Sequence, residues 1–259
     1  MEPSVIASFE TLRAAPLQTA VLLDFDGTLS PIVVDPSLAV ALPEVVSLLG
    51  ELRERFGLVG VVSGRPVSFL ATHLPDGLVM SGLYGLEEVR DGALVEHPVA
   101  ARWRPVVEDA VARASASLPD GVDVEHKGLS LTLHFRRLPS AGEAAATWAA
   151  AVAAESGLEV RTAKMSLELH PPVGVDKGTV VERLVAPDDA PGFSAACFIG
   201  DDLGDLPAFD ALDRLAARGV ATLRVAVRTS ESAPELLRRA DVHVDGPAGT
   251  VEVLRALLA

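Results

Sequence analysis

Val21–Ser30 reads VLLDFDGTLS, an apolar run that stops abruptly at Asp24, Asp26, Gly27 and Thr28. A buried strand here delivers two carboxylates to its own carboxyl end. Side chains alternate along a strand, so Asp24 and Asp26 share a face while Phe25 points the other way into packing. Two like charges that close repel each other. A cation between them removes the conflict, and a small rigid set of oxygen ligands suits Mg²⁺. Gly27 permits a tight turn and lets backbone N–H groups approach an anion. The chemistry this pattern points to is phosphoryl transfer. The plainer reading is a strand that ends in a solvated polar turn, and the downstream chain decides between the two.

The same grammar recurs. Leu58–Val62 (LVGVV) is a second apolar run that ends in Ser63, Gly64, Arg65 and Pro66 before a helical pattern over Val67–His73. Ala195–Ile199 is another, ending in Gly200, Asp201, Asp202, Leu203, Gly204 and Asp205. Three carboxylates in five residues are costly at one strand end unless a cation or solvent compensates. Strands that alternate with helices indicate a parallel sheet whose ligands gather at the strands' carboxyl ends, which places Ser63 and the second acidic loop near Asp24 and Asp26. Leu78–Ser81 is a further strand, followed by Gly82, Gly85, Glu87, Glu88 and a hairpin-like turn over Arg90–Asp91–Gly92–Ala93. Asp176–Leu184 returns to helix grammar with Asp176 as its cap. Lys177 then sits in the first turn, where a cation is disfavoured unless an anion is bound there. Leu223–Val227, Val242–Val244 and Thr250–Leu258 complete the fold as strand, edge strand and closing helix.

Between these parts the pattern changes. From about Trp103 there is a helix, two short alternating strands over Val122–His126 and Leu129–Arg136, an Ala-rich helix over Ala141–Ser156, and two more strands joined across Ala163–Lys164–Met165. Leu129, Leu131, Leu133 and Phe135 alternate with Ser130, Thr132, His134 and Arg136, the signature of a sheet covered on one face and exposed on the other. This predicts an α/β architecture with two parts: a Rossmann-like parallel core over residues 1–101 and 175–259, and an inserted domain over 102–174.

The chain has 259 residues, 49% of them hydrophobic, enough to bury a substantial core. Its net charge of −14 is spread along the sequence with no Lys/Arg-rich block, which argues against nucleic acid or an anionic membrane as partner. Cys197 is the single cysteine and lies in an apolar run, so it reads as a buried thiol in a reducing, cytoplasmic setting. The first residues lack the basic-then-apolar order of a secretory signal, and no apolar run reaches the length of a membrane span.

In order along the chain stand DFDGTLS at Asp24, SGR at Ser63, DKG around Lys177 and GDDLGD at Asp201. The set resembles the four motifs of the haloacid dehalogenase superfamily of phosphohydrolases, and it spans the whole chain. The phrases DFDGTLSPIVVDPSLA, VEHKGLSLTLHFR, KMSLELHPPVGVDKG and GDDLGDLPAF are similar to those of trehalose-6-phosphate phosphatases, and the insert looks like the α/β cap that such enzymes use on sugar phosphates. The resemblance implies Asp24 as a nucleophile that becomes an aspartyl-phosphate and Asp26 as general acid and base, a role that asks for a pKa raised relative to Asp24. It implies Mg²⁺ held by Asp24, the Asp26 backbone carbonyl and Asp201, with Asp202 and Asp205 in support. Ser63, Lys177 and the backbone at Gly27 and Gly64 would bind phosphoryl oxygens, Arg65 phosphate or sugar, and Glu125, Lys127 and Glu168 the sugar units. The substrate implied is a small sugar phosphate; a phosphatase of another sugar phosphate, a hexose-phosphate mutase and a silent sensor are the alternatives. The chain departs from the pattern in three places. Gly204, Asp205 and Leu206 stand where Thr-Asp-Glu is common, Tyr84 where His is frequent, and His126 where Asp is frequent.

Overall fold

The computed structural model describes residues 3–90, 92–163, 165–188, 190–229 and 232–259. Asp91 of the expected hairpin turn and Lys164 of the second expected turn lie outside them. In chain order the elements are α1 (Pro3–Ala14), β1 (Thr19–Leu23), α2 (Pro43–Arg55), β2 (Leu58–Val62), α3 (Val67–His73), β3 (Val79–Gly82), β4 (Glu87–Arg90) and β5 (Ala93–Glu96). Then come α4 (Arg104–Ser117), β6 (Asp123–His126), β7 (Leu131–His134), α5 (Gly142–Ser156), β8 (Glu159–Ala163) and β9 (Ser166–His170). The chain closes with α6 (Lys177–Val185), β10 (Ala195–Gly200), α7 (Leu206–Ala217), β11 (Ala221–Arg228), α8 (Pro234–Arg239), β12 (Val242–Asp245) and α9 (Gly246–Leu258).

These elements divide into two compact units, residues 1–94 with 175–259 and residues 95–174. The first division falls inside β5, seven residues ahead of the expected start at 102. The stretch between holds an exposed strand end and a short 3-10 turn, which leave no hydrophobic period to read.

The first unit is built on a sheet in the order β12-β11-β10-β1-β2-β3-β4-β5, parallel from β12 to β3 and antiparallel from β3 to β4. Successive strands leave β1 towards β2 and β3 on one side, while β10, β11 and β12 fill the other. The β1/β10 boundary is therefore a topological switch point, where the loops at the carboxyl ends diverge and leave a crevice for ligands. Leu23 pairs with Ile199 on β10 and with Val61 on β2, so the loops that start at Asp24, Ser63 and Asp201 leave the sheet side by side.

Alternation along β1 sorts its side chains into two layers. Val21, Leu23 and Phe25 pack with Phe9, Leu12, Leu49, Leu52 and Leu254 from α1, α2 and α9. Ala20 and Leu22 pack with Val181, Phe209 and Leu212 from α6 and α7. Asp24 continues the Ala20–Leu22 row and so emerges on the α6 side. α7 was not foreseen from the sequence, although Pro207 at its start and Ala208, Phe209, Leu212 and Leu215 at helical spacing carry the signal.

The second unit is an antiparallel sheet in the order β6-β7-β9-β8, with α4 and α5 packed on one face through Val107, Ala110, Ala145, Ala149 and Val152 against Leu131, Leu133, Leu167 and Leu169. The expectation of an exposed opposite face fails at Ser130 and Thr132, both buried, because Thr132 is flanked by Glu125 on β6 and Glu168 on β9 in a crowded polar row. Among the described residues no helix is long and apolar enough to cross a membrane.

Candidate active site

The strand ends bring three carboxylates together. Asp24, Asp201 and Asp205 are buried, and each offers an oxygen within 4.8 Å of those of the other two. Asp24 follows β1 directly, its N–H donating to the Ile199 carbonyl at 2.9 Å, which ties the β1 turn to β10. Gly27, with φ +77°, lies so close to Asp201 that an added Cβ would meet its Oδ2 at 2.1 Å. Only glycine lets the two acidic loops approach this closely. The Gly27 N–H itself donates to the Ser30 carbonyl at 2.8 Å, so the residue contributes shape while its own amide closes the turn.

Lys177 is the cation of the cluster. Asp176 caps α6, accepting from the Thr179 N–H at 2.8 Å, and thereby presents Lys177 at the helix start. Its ammonium is buried and sits 2.7 Å from Asp24 Oδ1 and 2.6 Å from Asp205 Oδ1. Burial works to lower its pKa, but Asp205 and Asp24 override this and hold it well above the usual lysine range. The conflict between a cation and a helix N-terminus is resolved by these carboxylates, a partnership the sequence flagged without identifying the partner.

Asp205 braces the acidic loop. Its Oδ2 accepts the N–H groups of Asp201 at 2.8 Å and Asp202 at 3.1 Å, while Oδ1 takes Lys177. Asp202 turns back to cap the following turn, its Oδ1 accepting from the Gly204 N–H at 2.8 Å. Asp201 receives the Thr229 hydroxyl at 3.2 Å. Thr229 was missed in the sequence; its place just past the carboxyl end of β11 was the available signal.

Burial raises the Asp24 carboxyl well above the usual range, opposed by Lys177 and aided by Asp205 and Asp202. Burial also raises Asp201, with Asp202, Asp205 and Asp24 adding to it, and pushes Asp202 up to about 6. One ammonium is too little positive charge for this set. The donors are all oxygens, buried and convergent, and they fit a hard divalent cation such as Mg²⁺. Asp24 and Asp201 carry the lone pairs such an ion would take, since Asp205 is committed to three donors.

Asp26 has a different environment. Its carboxylate is 40% exposed and forms a bidentate pair with Arg65, Nε to Oδ2 at 2.7 Å and Nη2 to Oδ1 at 2.8 Å. The guanidinium lies over the Phe69 ring at 4.5 Å, and Phe69 meets Phe25 edge-on at 5.4 Å. The sequence reading asked for the higher pKa at Asp26; the structure places the burial on Asp24 and a guanidinium on Asp26. Arg65, expected on phosphate or sugar, spends two donors on this pair. Ser63 is buried, and its Oγ accepts the Arg65 N–H at 3.2 Å, which leaves the hydroxyl proton for a ligand oxygen. Gly64 packs under the Tyr84 ring.

In the second unit, cross-strand register aligns Glu125, Thr132, Glu168 and Arg161 in one transverse row. Lys127 Nζ lies 3.8 Å from Glu125 and 3.7 Å from Glu168, and His134 Nε2 lies 2.8 Å from Glu125. Glu168 Oε1 and Thr132 Oγ1 are buried with no hydrogen-bond partner among the described residues. Buried polar atoms left in this state are costly and mark a place where a ligand's hydroxyls would be welcome. Glu125, Lys127 and Glu168 are thus brought together; Thr132 and His134 join them.

A family profile described as Trehalose-phosphatase matches residues 22–242. The trehalose-phosphate phosphatase of Mycobacterium ulcerans is 36% identical over 203 residues, which make up 74% of this chain and 51% of that protein. The chain spans about half the length of the curated relatives it matches. Among solved structures, the C-terminal domain of the C. albicans trehalose-6-phosphate phosphatase superposes with a TM-score of 0.79 at 24% identity, covering 98% of this chain and 95% of that one. A haloacid dehalogenase-like hydrolase from Bacteroides thetaiotaomicron gives 0.61 at 17%, covering 92% and 98%. These two likenesses carry the fold.

Proposed function

This chain belongs to the trehalose-phosphatase family, and we propose that it hydrolyses trehalose-6-phosphate to trehalose and inorganic phosphate through an aspartyl-phosphate on Asp24, with Mg²⁺ at Asp24 and Asp201. The observation that carries the reading is the buried convergence of Asp24, Asp201 and Asp205 on Lys177 at the switch point of the parallel sheet.

Asp24 Oδ attacks phosphorus as the bond from phosphorus to the sugar oxygen breaks. Asp26, protonated at the start, gives that oxygen its proton, then takes a proton from the water that attacks the aspartyl-phosphate, so phosphate leaves, Asp24 returns as a carboxylate and Asp26 as the acid. A nucleophile buried as deeply as Asp24 stays ionised only with positive charge beside it. Lys177 supplies part of that charge; a divalent ion held by Asp24 and Asp201 would supply the rest and offset repulsion between Asp24 and the phosphate dianion. Ser63, Lys177 and the backbone at Gly64 bind phosphoryl oxygens as charge redistributes. To serve as acid, Asp26 must release Arg65, and its half-exposed position leaves room for that movement. Arg65 in this reading orients the acid and base group.

We assign sugar recognition to the second unit, through Glu125, Lys127 and Glu168 with Thr132 beside them. Carboxylates suit sugar hydroxyls because each accepts several hydrogen bonds. The test is phosphate release from trehalose-6-phosphate, glucose-6-phosphate and p-nitrophenyl phosphate, with Mg²⁺ and after chelation, for wild type and Asp24→Asn. Metal-dependent release that favours trehalose-6-phosphate and disappears in Asp24→Asn is expected. Isomerised sugar phosphate without free phosphate would instead identify a mutase, and activity of Asp24→Asn within a few-fold of wild type would overturn the nucleophile.

A further inference from the structure

The residues Leu83 and Tyr84 occupy the left-handed region, with φ +49° and +57°. Neither is glycine, and two successive side-chain-bearing residues in this region persist only where the surroundings hold them. Their position explains what does. Ser63 donates its N–H to the Ser81 carbonyl at 2.9 Å, so the turn after β2 is anchored on β3. The Leu83 N–H then donates to the Arg65 carbonyl at 3.0 Å and the Tyr84 N–H to the Ser63 carbonyl at 2.9 Å. Leu83 is buried, which fixes the turn from below. The strained pair grips the carbonyls on either side of Gly64.

This conformation lays the Tyr84 ring across three loops that come from different parts of the chain. Its hydroxyl end covers Gly64, where an added Cβ would lie 2.7 Å from both Cζ and the hydroxyl oxygen. Lys177 Nζ is 5.9 Å from the ring centroid, within reach of a cation–π attraction. At Gly204, in the acidic loop, an added Cβ would lie 3.7 Å from Cε1. The ring therefore packs on the Ser63–Arg65 turn and lies near the Lys177 ammonium and the loop after β10. The turn geometry by itself does not call for an aromatic: it is met more cheaply by glycine or asparagine.

We propose that Tyr84 is a positioning residue of the phosphate site, its ring setting the distance between the Ser63–Gly64 turn and the Lys177 ammonium. The inference rests on reading the site as a phosphohydrolase centre and adds to it the device that holds two of its phosphate-binding groups apart. The backbone strain is maintained because it aims the ring, and the bare face of Gly64 is what lets the ring lie against the backbone. A residue smaller than the ring would let the turn and the ammonium close on each other; a residue larger than glycine at 64 would force the ring away.

The experiment uses the full chain with Mg²⁺ and compares Tyr84→Leu, Tyr84→Phe, Gly64→Ala and Tyr84→Leu/Gly64→Ala. Measured are kcat and KM on trehalose-6-phosphate and on p-nitrophenyl phosphate, competitive inhibition by inorganic phosphate, and the melting temperature. Tyr84→Leu should lower kcat on both substrates about tenfold to a hundredfold and weaken inhibition by phosphate about tenfold. Tyr84→Phe, which keeps the ring, should recover most of that loss. Gly64→Ala should impair phosphate inhibition about tenfold in the wild-type background and much less in the Tyr84→Leu background, because the methyl then meets no ring. Folded Tyr84→Leu with kcat and phosphate inhibition within about twofold of wild type would overturn the proposal, as would Tyr84→Phe failing as badly as Tyr84→Leu. If Tyr84→Leu does not fold, Gly64→Ala alone decides: wild-type phosphate inhibition in that variant sinks the idea. Wild type that releases no phosphate from any ester is a separate outcome, striking the phosphohydrolase reading itself.

Discussion

Asp205 is the residue whose removal tests the site's construction most directly, and Asp205→Asn is the sharpest change because it preserves size. The side chain is fully buried and takes three donors: Lys177 Nζ at 2.6 Å on one oxygen, and the N–H groups of Asp201 at 2.8 Å and Asp202 at 3.1 Å on the other. An amide has one acceptor end and one donor end. Whichever way it turns, its NH₂ faces either the ammonium or the two backbone amides. Losing a hydrogen bond to a charged group costs about 1.5–3 kcal/mol, and leaving buried donors unmatched adds to it. Lys177 keeps Asp24 at 2.7 Å, so the loss stays below that of a fully stranded charge. The expected total is about 2–4 kcal/mol. At roughly 2–4 °C per kcal/mol for a chain of this size, the melting temperature should fall by roughly 5–15 °C. Phosphate release should drop about a hundredfold, since the backbone that presents Asp201 is no longer held. Asp202→Asn is the control: its side chain accepts the N–H groups of Gly204 and Asp205, which an amide oxygen also accepts, so stability should change by less than about 1 kcal/mol. Thermal unfolding followed by circular dichroism, with a parallel phosphate assay, reads both effects. A melting point within about 2 °C of wild type for Asp205→Asn, with kcat within about threefold, would refute the bracing role.

Three further expectations follow from the same geometry. Arg65→Met should slow trehalose-6-phosphate hydrolysis by about tenfold or more but p-nitrophenyl phosphate hydrolysis far less, because an activated leaving group needs little help from Asp26; equal losses on both would return Arg65 to a phosphate contact. The raised carboxyls of Asp24, Asp201 and Asp202 favour the protonated folded state. Their contribution is therefore present below the unfolded value of 3.8 and lost as pH rises through the folded values, about 6 for Asp202. The gain in melting temperature on adding Mg²⁺ should accordingly be larger at about pH 8 than at about pH 5, and a gain that shrinks with rising pH would contradict the charge argument. Glu168→Gln should cut kcat/KM for trehalose-6-phosphate about tenfold to a hundredfold while sparing the aryl phosphate, and matched losses would remove Glu168 from sugar recognition.

The parallel core was legible because buried strands ending in carboxylates and small residues are local patterns. Val21–Leu23, Leu58–Val62 and Ala195–Ile199 each carry their own signal, and pairing in the sheet then places their ends together. What depends on tertiary placement was not legible. Lys177 could be flagged from its helix position, but its partners, Asp24 and Asp205, lie far away in sequence. The Arg65–Asp26 pair joins two motifs that each looked aimed at phosphate. Tyr84 has the φ of a glycine, and nothing in its own residue type announces that. In the second unit, the alternation over Leu129–Phe135 identified the apolar face correctly, with Leu129, Leu131 and Leu133 buried, yet it gave the wrong account of Ser130 and Thr132. Polar residues read as solvent-facing when only the period is considered, whereas register with Glu125 and Glu168 makes Thr132 part of a closed polar row.

Charge counting gives a reason for the cation that does not depend on family. Asp24, Asp201, Asp202 and Asp205 make four carboxylates around one ammonium, a formal −3 where the proposed function puts a phosphate dianion. At an effective dielectric constant of about 20, each pair of unit charges about 6 Å apart is worth roughly 3 kcal/mol, so a dianion approaching this cluster meets a prohibitive field. There are two ways to relieve it. Protons are the first, and the upward pull on Asp24, Asp201 and Asp202 is the cluster's tendency to take them. But in the proposed mechanism a proton on Asp24 would take away the negative charge that makes it a nucleophile. A divalent cation relieves the same repulsion while leaving Asp24 ionised, so the two solutions differ in whether the site can react. In the proposed mechanism Asp26, half-exposed and paired with a guanidinium, stands apart from the three buried carboxylates, so the proton exchanged with substrate and water would not have to come from the nucleophile.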